Sequence, residues 1–276
     1  MKTPKKIVVY DDTCPMCNWY TSVFIKTGLL EKNGRQSFSE IPPELLNRLD
    51  KNLCKDEIPL IDLTNNKVMY GTDALLEIVG GRFPLLKKIF LLKLFKKAIK
   101  FLYKLISLNR RIITAPTFSS KGFDCTPALN VKYRILWIII GLGIHTIILI
   151  PLQKNVLSNS FLSHASLIQV QLGHAFLILS NISAALFLNK EKTIEFLGQM
   201  NMLCVIATLL YIPLILLNKA FLIPTFINNG YLFLIIFVVL KEYIRRMSFA
   251  SMLPSNNNIV AANVLSLIAI IISLLK

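Results

Sequence analysis

The sequence has few acidic residues and few histidines, and the shortage of histidine limits the metal sites that it can form. Only 15 of the 276 residues are Asp or Glu, against 31 Lys or Arg, and no acid occurs between residues 78 and 123. All three histidines lie after residue 131, and a second CxxC motif is missing. A structural zinc site normally has four protein ligands. We therefore expect no metal in the N-terminal part of the chain.

The N-terminus has no long apolar run of the kind found in secretory signals. Basic residues 1–6 are followed by only a few apolar residues before Asp11 and Asp12, whereas a signal peptide has an apolar region of about 7–15 residues. We expect the N-terminal domain to stay in the cytoplasm. Five cysteines in that compartment do not indicate a disulfide framework, and a close pair there is more often redox-active or metal-binding.

Apolar blocks dominate the second half of the chain. Hydrophobic residues make up 54% of the sequence and are concentrated after residue 131. A block of about 20 residues can cross the roughly 30 Å hydrocarbon core of a bilayer as a helix. The predicted spans are 133–152, 166–189, 195–217, 221–240 and 259–275. The fold class is thus an α/β N-terminal domain followed by a transmembrane bundle of about five helices.

The distribution of Lys and Arg predicts the orientation of these spans. With the N-terminal domain in the cytoplasm, the inner flanks carry Lys132, Arg134, Lys190, Lys192, Lys241, Arg245 and Arg246, and the outer flanks carry Lys154, Lys219 and Lys276. Cytoplasmic loops are enriched in positive charge. We expect an integral protein of the bacterial inner membrane with its C-terminus outside.

Residues 84–111 form a stretch that is both basic and apolar. Lys93, Lys96, Lys97, Lys100 and Lys104 share one helical face, and Phe95, Ile99, Leu102 and Ile106 share another. Such a helix suits the surface of an anionic leaflet. Packing on the soluble domain with a solvated lysine face is an equal alternative. Because membrane spans follow, we expect lipid rather than nucleic acid as the partner of this charge.

The sequence of the N-terminal domain predicts a strand, a turn and a helix around a cysteine pair. We predict strands at 6–10 and 36–41, helices at 15–27 and 44–54, a hairpin over 58–70, and a helix from Gly71 that ends at Gly80-Gly81. Cys14 and Cys17 fall where the first strand gives way to the first helix. A helix N-terminus stabilises negative charge, so Cys14 is predicted to be the exposed nucleophile and Cys17 the resolving thiol. Asp11 is either a proton acceptor for Cys17 or only a turn residue.

The segment Tyr10-Asp11-Asp12-Thr13-Cys14-Pro15-Met16-Cys17 resembles the signature of the DCC family, which is named for its Asp-x-x-Cys-x-x-Cys. Weaker resemblance extends to residues 70–76 and 103–110, and Asp12 departs from the usual Gly. The resemblance implies a thioredoxin-like thiol–disulfide oxidoreductase with a redox-active disulfide, and it carries over to Asp11, Cys14 and Cys17. The predicted domains are a redox core at 1–83, a basic helical extension at 84–111, a linker at 112–131 and a transmembrane domain at 132–276.

Two further segments look like substrate-binding elements of thioredoxins and glutaredoxins. Ile58-Pro59 resembles the dipeptide before the third strand, where a cis-Pro faces the CxxC and leaves the preceding backbone free to pair with substrate; a trans bond is equally open here. Thr72 and Asp73 lie at a helix start like the one that receives a glutathione carboxylate, and helix starts bind anions generally. Protein or small-molecule disulfides, with glutathione among them, are the expected partners.

The membrane half offers few polar groups for chemistry. His145 and His174 are predicted at similar depth in neighbouring spans, so haem or quinone binding is an alternative to the expectation of no cofactor. Gln169, Gln171 and Asn181 are expected to make interhelical hydrogen bonds. The predicted function is a membrane-anchored protein-disulfide reductase. The alternative is a membrane transporter or assembly factor whose soluble domain senses redox state or binds a partner.

Overall fold

A computed structural model describes residues 5–115, 125–221, 223–253 and 256–275. They form two compact units that divide between Arg134 and Ile135. The first unit contains the cysteine pair and all of the sheet. The second consists of long apolar helices.

A four-stranded mixed sheet of order β2-β1-β3-β4 forms the first unit. β1 (Lys6–Tyr10) is parallel to β2 (Arg35–Ser37) and antiparallel to β3 (Pro59–Asp62), which pairs antiparallel with β4 (Lys67–Tyr70). Successive residues of the central strands face opposite sides of the sheet. Val9 and Ile61 therefore enter one apolar cluster, while Val8 and Leu60 enter another. Both faces are covered, as the apolar β-branched sequence of β1 predicts.

The described part of this unit before residue 116 contains the helices α1 (Pro15–Lys26), α2 (Pro43–Leu46), α3 (Lys51–Asp56), α4 (Gly71–Arg82), α5 (Pro84–Phe90), α6 (Lys93–Ser107) and α7 (Arg110–Thr114). The single helix predicted over 44–54 is wrong, because Asp50 caps a new helix by accepting hydrogen bonds from the Asn52 and Leu53 amides. The predicted stop at Gly80-Gly81 is also wrong. α4 continues to Arg82 and ends before Pro84, since the residue preceding a proline disfavours helical geometry.

The basic extension is three helices and not one. α5 and α6 are separated at Leu91 and Leu92, where Leu92 adopts an extended backbone before the first turn of α6. Helices extend into both ends of the segment 112–131, which was predicted to be a linker: α7 ends at Thr114, and the next helix starts at Val131. Pro116 and Gly122 of this segment lie outside the described residues, and 125–130 have no regular structure.

The apolar helices are α8 (Val131–Asn155), α9 (Leu167–Ala185), α10 (Lys190–Ala220), α11 (Thr225–Phe249) and α12 (Asn257–Leu274), with a 3-10 turn at Leu157–Asn159. Within the described residues, five segments are long and apolar enough to cross a membrane, which confirms the predicted number. The fourth begins after Pro224, a residue that lacks an N–H and caps the helix start. The structure contains the predicted hydrogen bond from Gln171, which reaches the Thr146 carbonyl on α8. Gln169 instead caps its own helix with Ser166.

Candidate functional site

The two sulfurs of the CxxC lie where β1 turns into α1. The Oδ1 atom of Asp11 accepts hydrogen bonds from the Thr13 amide at 3.0 Å and the Thr13 hydroxyl at 2.6 Å, which closes the turn. Cys14 then occupies the N-cap position of α1, and its Sγ accepts the Cys17 backbone N–H at 3.4 Å. Pro15 sits in the first turn, where a missing N–H is tolerated. All five cysteines are free thiols.

The surroundings of the two thiols shift their pKa values in opposite directions. The hydrogen bond from the Cys17 thiol, helped by the Cys17 amide and the charge of Arg110, lowers the pKa of Cys14 to about 7. Burial and Asp11 oppose this shift. The hydrogen bond to Cys14 and burial raise the pKa of Cys17 well above its usual range. These shifts favour a thiolate at Cys14 beside a protonated Cys17, and the hydrogen bond between the two thiols is their largest cause.

The charge of Arg110 acts on both thiols. This residue starts α7, is buried, and places its Nη2 atom 4.0 Å from the Oδ2 atom of Asp11. The guanidinium donates to the Ser107 hydroxyl at 3.4 Å and to the Cys125 carbonyl. Burial alone would lower the pKa of Arg110, but attraction to both sulfurs and to Asp11 outweighs burial and raises it. The site therefore contains a permanent cation.

A cavity of about 390 Å³ opens beside the pair. Its lining includes Cys17, Tyr20, Ile58, Pro59, Tyr103 and Arg110. Cys17 is on the wall, whereas Cys14 is fully buried and is not. The expectation that Cys14 is exposed is thus wrong in this conformation: its sulfur faces the turn and the Cys17 amide rather than solvent.

Ile58 and Pro59 face the same cavity as Cys17, as expected from their sequence. The backbone of Ile58 is nevertheless already paired. Its N–H donates to the Tyr103 hydroxyl at 2.9 Å, and its carbonyl accepts the Gly71 N–H at 2.9 Å. An extended substrate that paired with this peptide would have to displace the tyrosine hydroxyl.

Thr72 and Asp73 lie apart from the cavity, and neither contributes to its lining. Thr72 is buried in the first turn of α4. Asp73 is exposed and forms an ion pair of 3.4 Å with Lys96. Gly71 adopts a φ of +57°, a backbone conformation that strains residues with a Cβ, so this helix start favours glycine.

Sequence reasoning did not assign roles to Arg110 and Tyr103. Both lie in the segment 103–110 that carries the weaker family resemblance, and this was the available signal. Both residues are far from the CxxC in the sequence, so the sequence alone does not show that they lie near it in space. Among the described residues, no third His, Cys, Asp or Glu joins Cys14 and Cys17 in a cluster suited to a metal ion.

The βαβ unit, the following antiparallel hairpin and helix, and a CxxC at the first helix start define a thioredoxin-like redox domain. More narrowly, residues 8–115 match the family model for DCC1-like thiol-disulfide oxidoreductase. The match ends before the five apolar helices. No curated protein and no solved structure matches the chain. The chain therefore combines a DCC1-like redox domain with helices that can span a membrane.

Proposed function

We propose that the chain is a membrane-anchored protein-disulfide reductase that uses Cys14 and Cys17 as its dithiol. The observation that carries the proposal is the position of the pair: Cys14 caps the start of α1, and its Sγ accepts the Cys17 N–H at 3.4 Å. In this arrangement the hydrogen bond between the two thiols lowers the pKa of Cys14 to about 7 and raises the pKa of Cys17. A thiolate is the attacking species in disulfide exchange, and its optimal pKa lies near the ambient pH. A neighbouring thiol that stays protonated does not compete for the first attack.

In the first step, the Cys14 thiolate attacks one sulfur of a substrate disulfide. A Cys14–substrate disulfide forms, and the other substrate sulfur leaves as a thiolate. Cys17 then loses its proton to Asp11 or to water and attacks the Cys14 sulfur. The second substrate sulfur leaves as a thiolate, and a Cys14–Cys17 disulfide forms. The substrate disulfide has been reduced by two electrons, and the cysteine pair has been oxidised by two. A cellular dithiol regenerates the pair by the same chemistry.

Substrate binding is assigned to the cavity wall at Ile58 and Pro59 and to the helix start at Thr72 and Asp73. The cavity position of the first two residues supports this assignment. Glutathione is a candidate small substrate, because a helix start attracts a carboxylate and Lys96 lies beside Asp73. A chain that reduces protein disulfides but cannot resolve a glutathionyl mixed disulfide would remove glutathione from the proposal.

The complete burial of Cys14 favours a second candidate function. A soluble domain that senses redox state or binds one partner, and so regulates a transporter or assembly factor, needs its thiol exposed only in the partner complex. Turnover of several unrelated disulfides supports the reductase. Tight binding of one partner with negligible turnover supports the sensor.

The decisive experiment compares full-length variants in membranes. Cys14→Ser is expected to abolish dithiol-dependent disulfide reduction, and Cys17→Ser is expected to accumulate a mixed disulfide that mass spectrometry can identify. Cys54→Ser is the control, since it removes another buried thiol from the wall of the same cavity and leaves the CxxC pair intact; it is expected to keep turnover. Retained turnover in Cys14→Ser would reject Cys14 as the nucleophile.

The proposed location is the bacterial inner membrane, with the redox domain in the cytoplasm and the C-terminus outside. Lys132 and Arg134 lie in the first turn of α8, and Lys190 and Lys192 lie at the start of α10. Clusters of this kind mark cytoplasmic helix ends. Labelling of single added cysteines in a Cys-free chain, at residue 155 and at residue 189, tests the orientation: only the first is expected to react with an impermeant reagent added outside.

A further inference from the structure

Three helices of the second unit bring together His145 (α8), His174 (α9) and Cys204 (α10). One ring nitrogen of each histidine and the Cys204 Sγ all lie within 4.8 Å of one another. The two imidazole rings meet edge to face, with 4.8 Å between their centroids. Nitrogen and sulfur donors at such separations are the ligand set of a soft or borderline metal ion.

The hydrogen bonds of His145 indicate which of its nitrogens is available. The Thr208 hydroxyl donates to the Cys204 carbonyl at 2.9 Å, so its oxygen acts as the acceptor for the His145 Nδ1, 2.7 Å away. His145 Nδ1 therefore carries the proton, and Nε2 carries the lone pair. A protein group that accepts from the non-ligating nitrogen is the usual support of a metal-bound histidine.

His174 repeats this arrangement with a different threonine. The Thr146 hydroxyl donates to the Leu142 carbonyl at 2.8 Å, and its oxygen lies 3.4 Å from the His174 Nδ1. The Nε2 of His174 is buried and has no hydrogen-bond partner among the described residues. Buried polar atoms are nearly always paired. An unpartnered imidazole nitrogen, on a side chain that is more than nine-tenths buried, points to a missing ligand.

The three side chains line a cavity of about 300 Å³ within the second unit. Met200, one helical turn before Cys204, adds a thioether to the same wall, and Asn181 and Asn201 each present an unpaired buried oxygen. None of the residues described on this wall is acidic. A divalent ion bound by one thiolate would leave a net positive charge in an apolar surrounding, which is costly. A monovalent ion with one thiolate is neutral.

We propose that His145, His174 and Cys204 bind one Cu(I) ion between the apolar helices. Binding replaces the Cys204 thiol proton, which leaves to solvent, and forms bonds from the metal to Sγ and to two imidazole nitrogens. Bonds of about 2.0–2.3 Å put neighbouring ligand atoms about 3.5–4 Å apart, so the cluster closes by roughly 1 Å. Two rings in edge contact leave no space for a porphyrin between them.

The test uses the full chain carrying Cys14→Ser and Cys17→Ser, purified in detergent without oxygen and titrated with the acetonitrile complex of Cu(I) against a Cu(I) chelator. One ion per chain is expected to resist the chelator. X-ray absorption is expected to show two nitrogen ligands and one sulfur ligand, a result that needs no substitution in the helices. His174→Asn is expected to weaken the affinity by about 100-fold or more, and Thr208→Val by roughly 10-fold.

His164→Asn is the matched control, because His164 is exposed and outside the cluster. It is expected to bind Cu(I) like its parent. Copper surrounded by sulfur alone, copper retained equally by His174→Asn, or no retained copper would each overturn the proposal. Zn²⁺ binding with equal affinity would overturn the argument for a monovalent ion. A quinone that copurifies with a chain unable to bind copper would assign the cavity to that ligand instead.

Discussion

The guanidinium Nη2 of Arg110 lies 4.0 Å from the Oδ2 of Asp11, and both side chains are at most 6% exposed. A buried carboxylate would normally be costly, and this cation offsets it. The two charges act on Cys14 in opposite directions, because Arg110 lowers the pKa of Cys14 and Asp11 raises it. The pair therefore controls the fraction of thiolate at the helix start while remaining nearly neutral as a unit.

Replacing Arg110 by Gln is expected to make Cys14 a weaker acid. Loss of the cation removes attraction for the thiolate and leaves the repulsion from Asp11, so the Cys14 titration should move upward from about pH 7 by roughly one pH unit. The thiolate fraction at pH 7 then falls from about half to about a tenth. The titration is measured as the difference in thiolate ultraviolet absorbance between each chain and its Cys14→Ser derivative. Arg110→Lys keeps the charge and should shift the midpoint less. An unchanged midpoint in Arg110→Gln would show that the hydrogen bonds from Cys17 set the acidity without the help of Arg110.

Asp11→Asn is expected to separate the two steps of exchange. The amide oxygen can still accept from Thr13, so the turn is kept, while the negative charge is lost. The pKa of Cys14 should fall, and attack at pH below 7 should become faster. If Asp11 accepts the Cys17 proton, resolution of the mixed disulfide should slow by on the order of 100-fold. Rapid mixing with a chromogenic disulfide resolves the two phases. Equal resolution rates in both chains would reduce Asp11 to a turn residue.

Local patterns predict β1, the hairpin and the position of the cysteine pair, whereas the second strand, predicted at 36–41, ends at Ser37. The run Ile7-Val8-Val9 predicts β1, and the turn chemistry of Asp11 and Thr13 places Cys14 at a helix start. Features that depend on contacts between residues far apart in the chain could not be predicted from the sequence. Arg110 reaches Asp11 across 99 positions, and the burial of Cys14 depends on tertiary packing, which local propensity does not encode.

The sequence likewise predicts the apolar helices but not the contacts between their side chains. Length and hydropathy predict five spans, and the positions of His145 and His174 predict similar depth. Their rotation about the helix axes decides whether the rings meet, and a nearly uniform apolar sequence contains little information on rotation. The contact with Cys204, on a third helix, was not expected.

Tyr103→Phe is expected to expose the Ile58 amide. The buried N–H of Ile58 would lose its only described acceptor, the Tyr103 hydroxyl at 2.9 Å, at a cost of about 1–3 kcal/mol. Hydrogen exchange of the peptide that contains Ile58, measured by mass spectrometry on the full chain, should accelerate roughly 10- to 100-fold. Tyr133→Phe serves as the control, because the Tyr133 ring contacts Phe101 and not Ile58. Unchanged protection would mean that water or another group replaces the hydroxyl.

The surface of α5 and α6 predicts a lipid-dependent change in the first unit. Large apolar side chains are exposed beside lysines on these helices, among them Leu94 at 79% and Leu102 at 54%. In nanodiscs with anionic lipid, hydrogen exchange of residues 93–107 should be slower than in zwitterionic lipid, and the difference should shrink as salt shortens the Debye length. Neutralising Lys93, Lys97 and Lys100 to Gln should weaken the association by about 3 kcal/mol. Lys32→Gln, an exposed lysine elsewhere in the unit, should have little effect. Equal exchange in both lipids would instead favour a protein partner for this apolar surface.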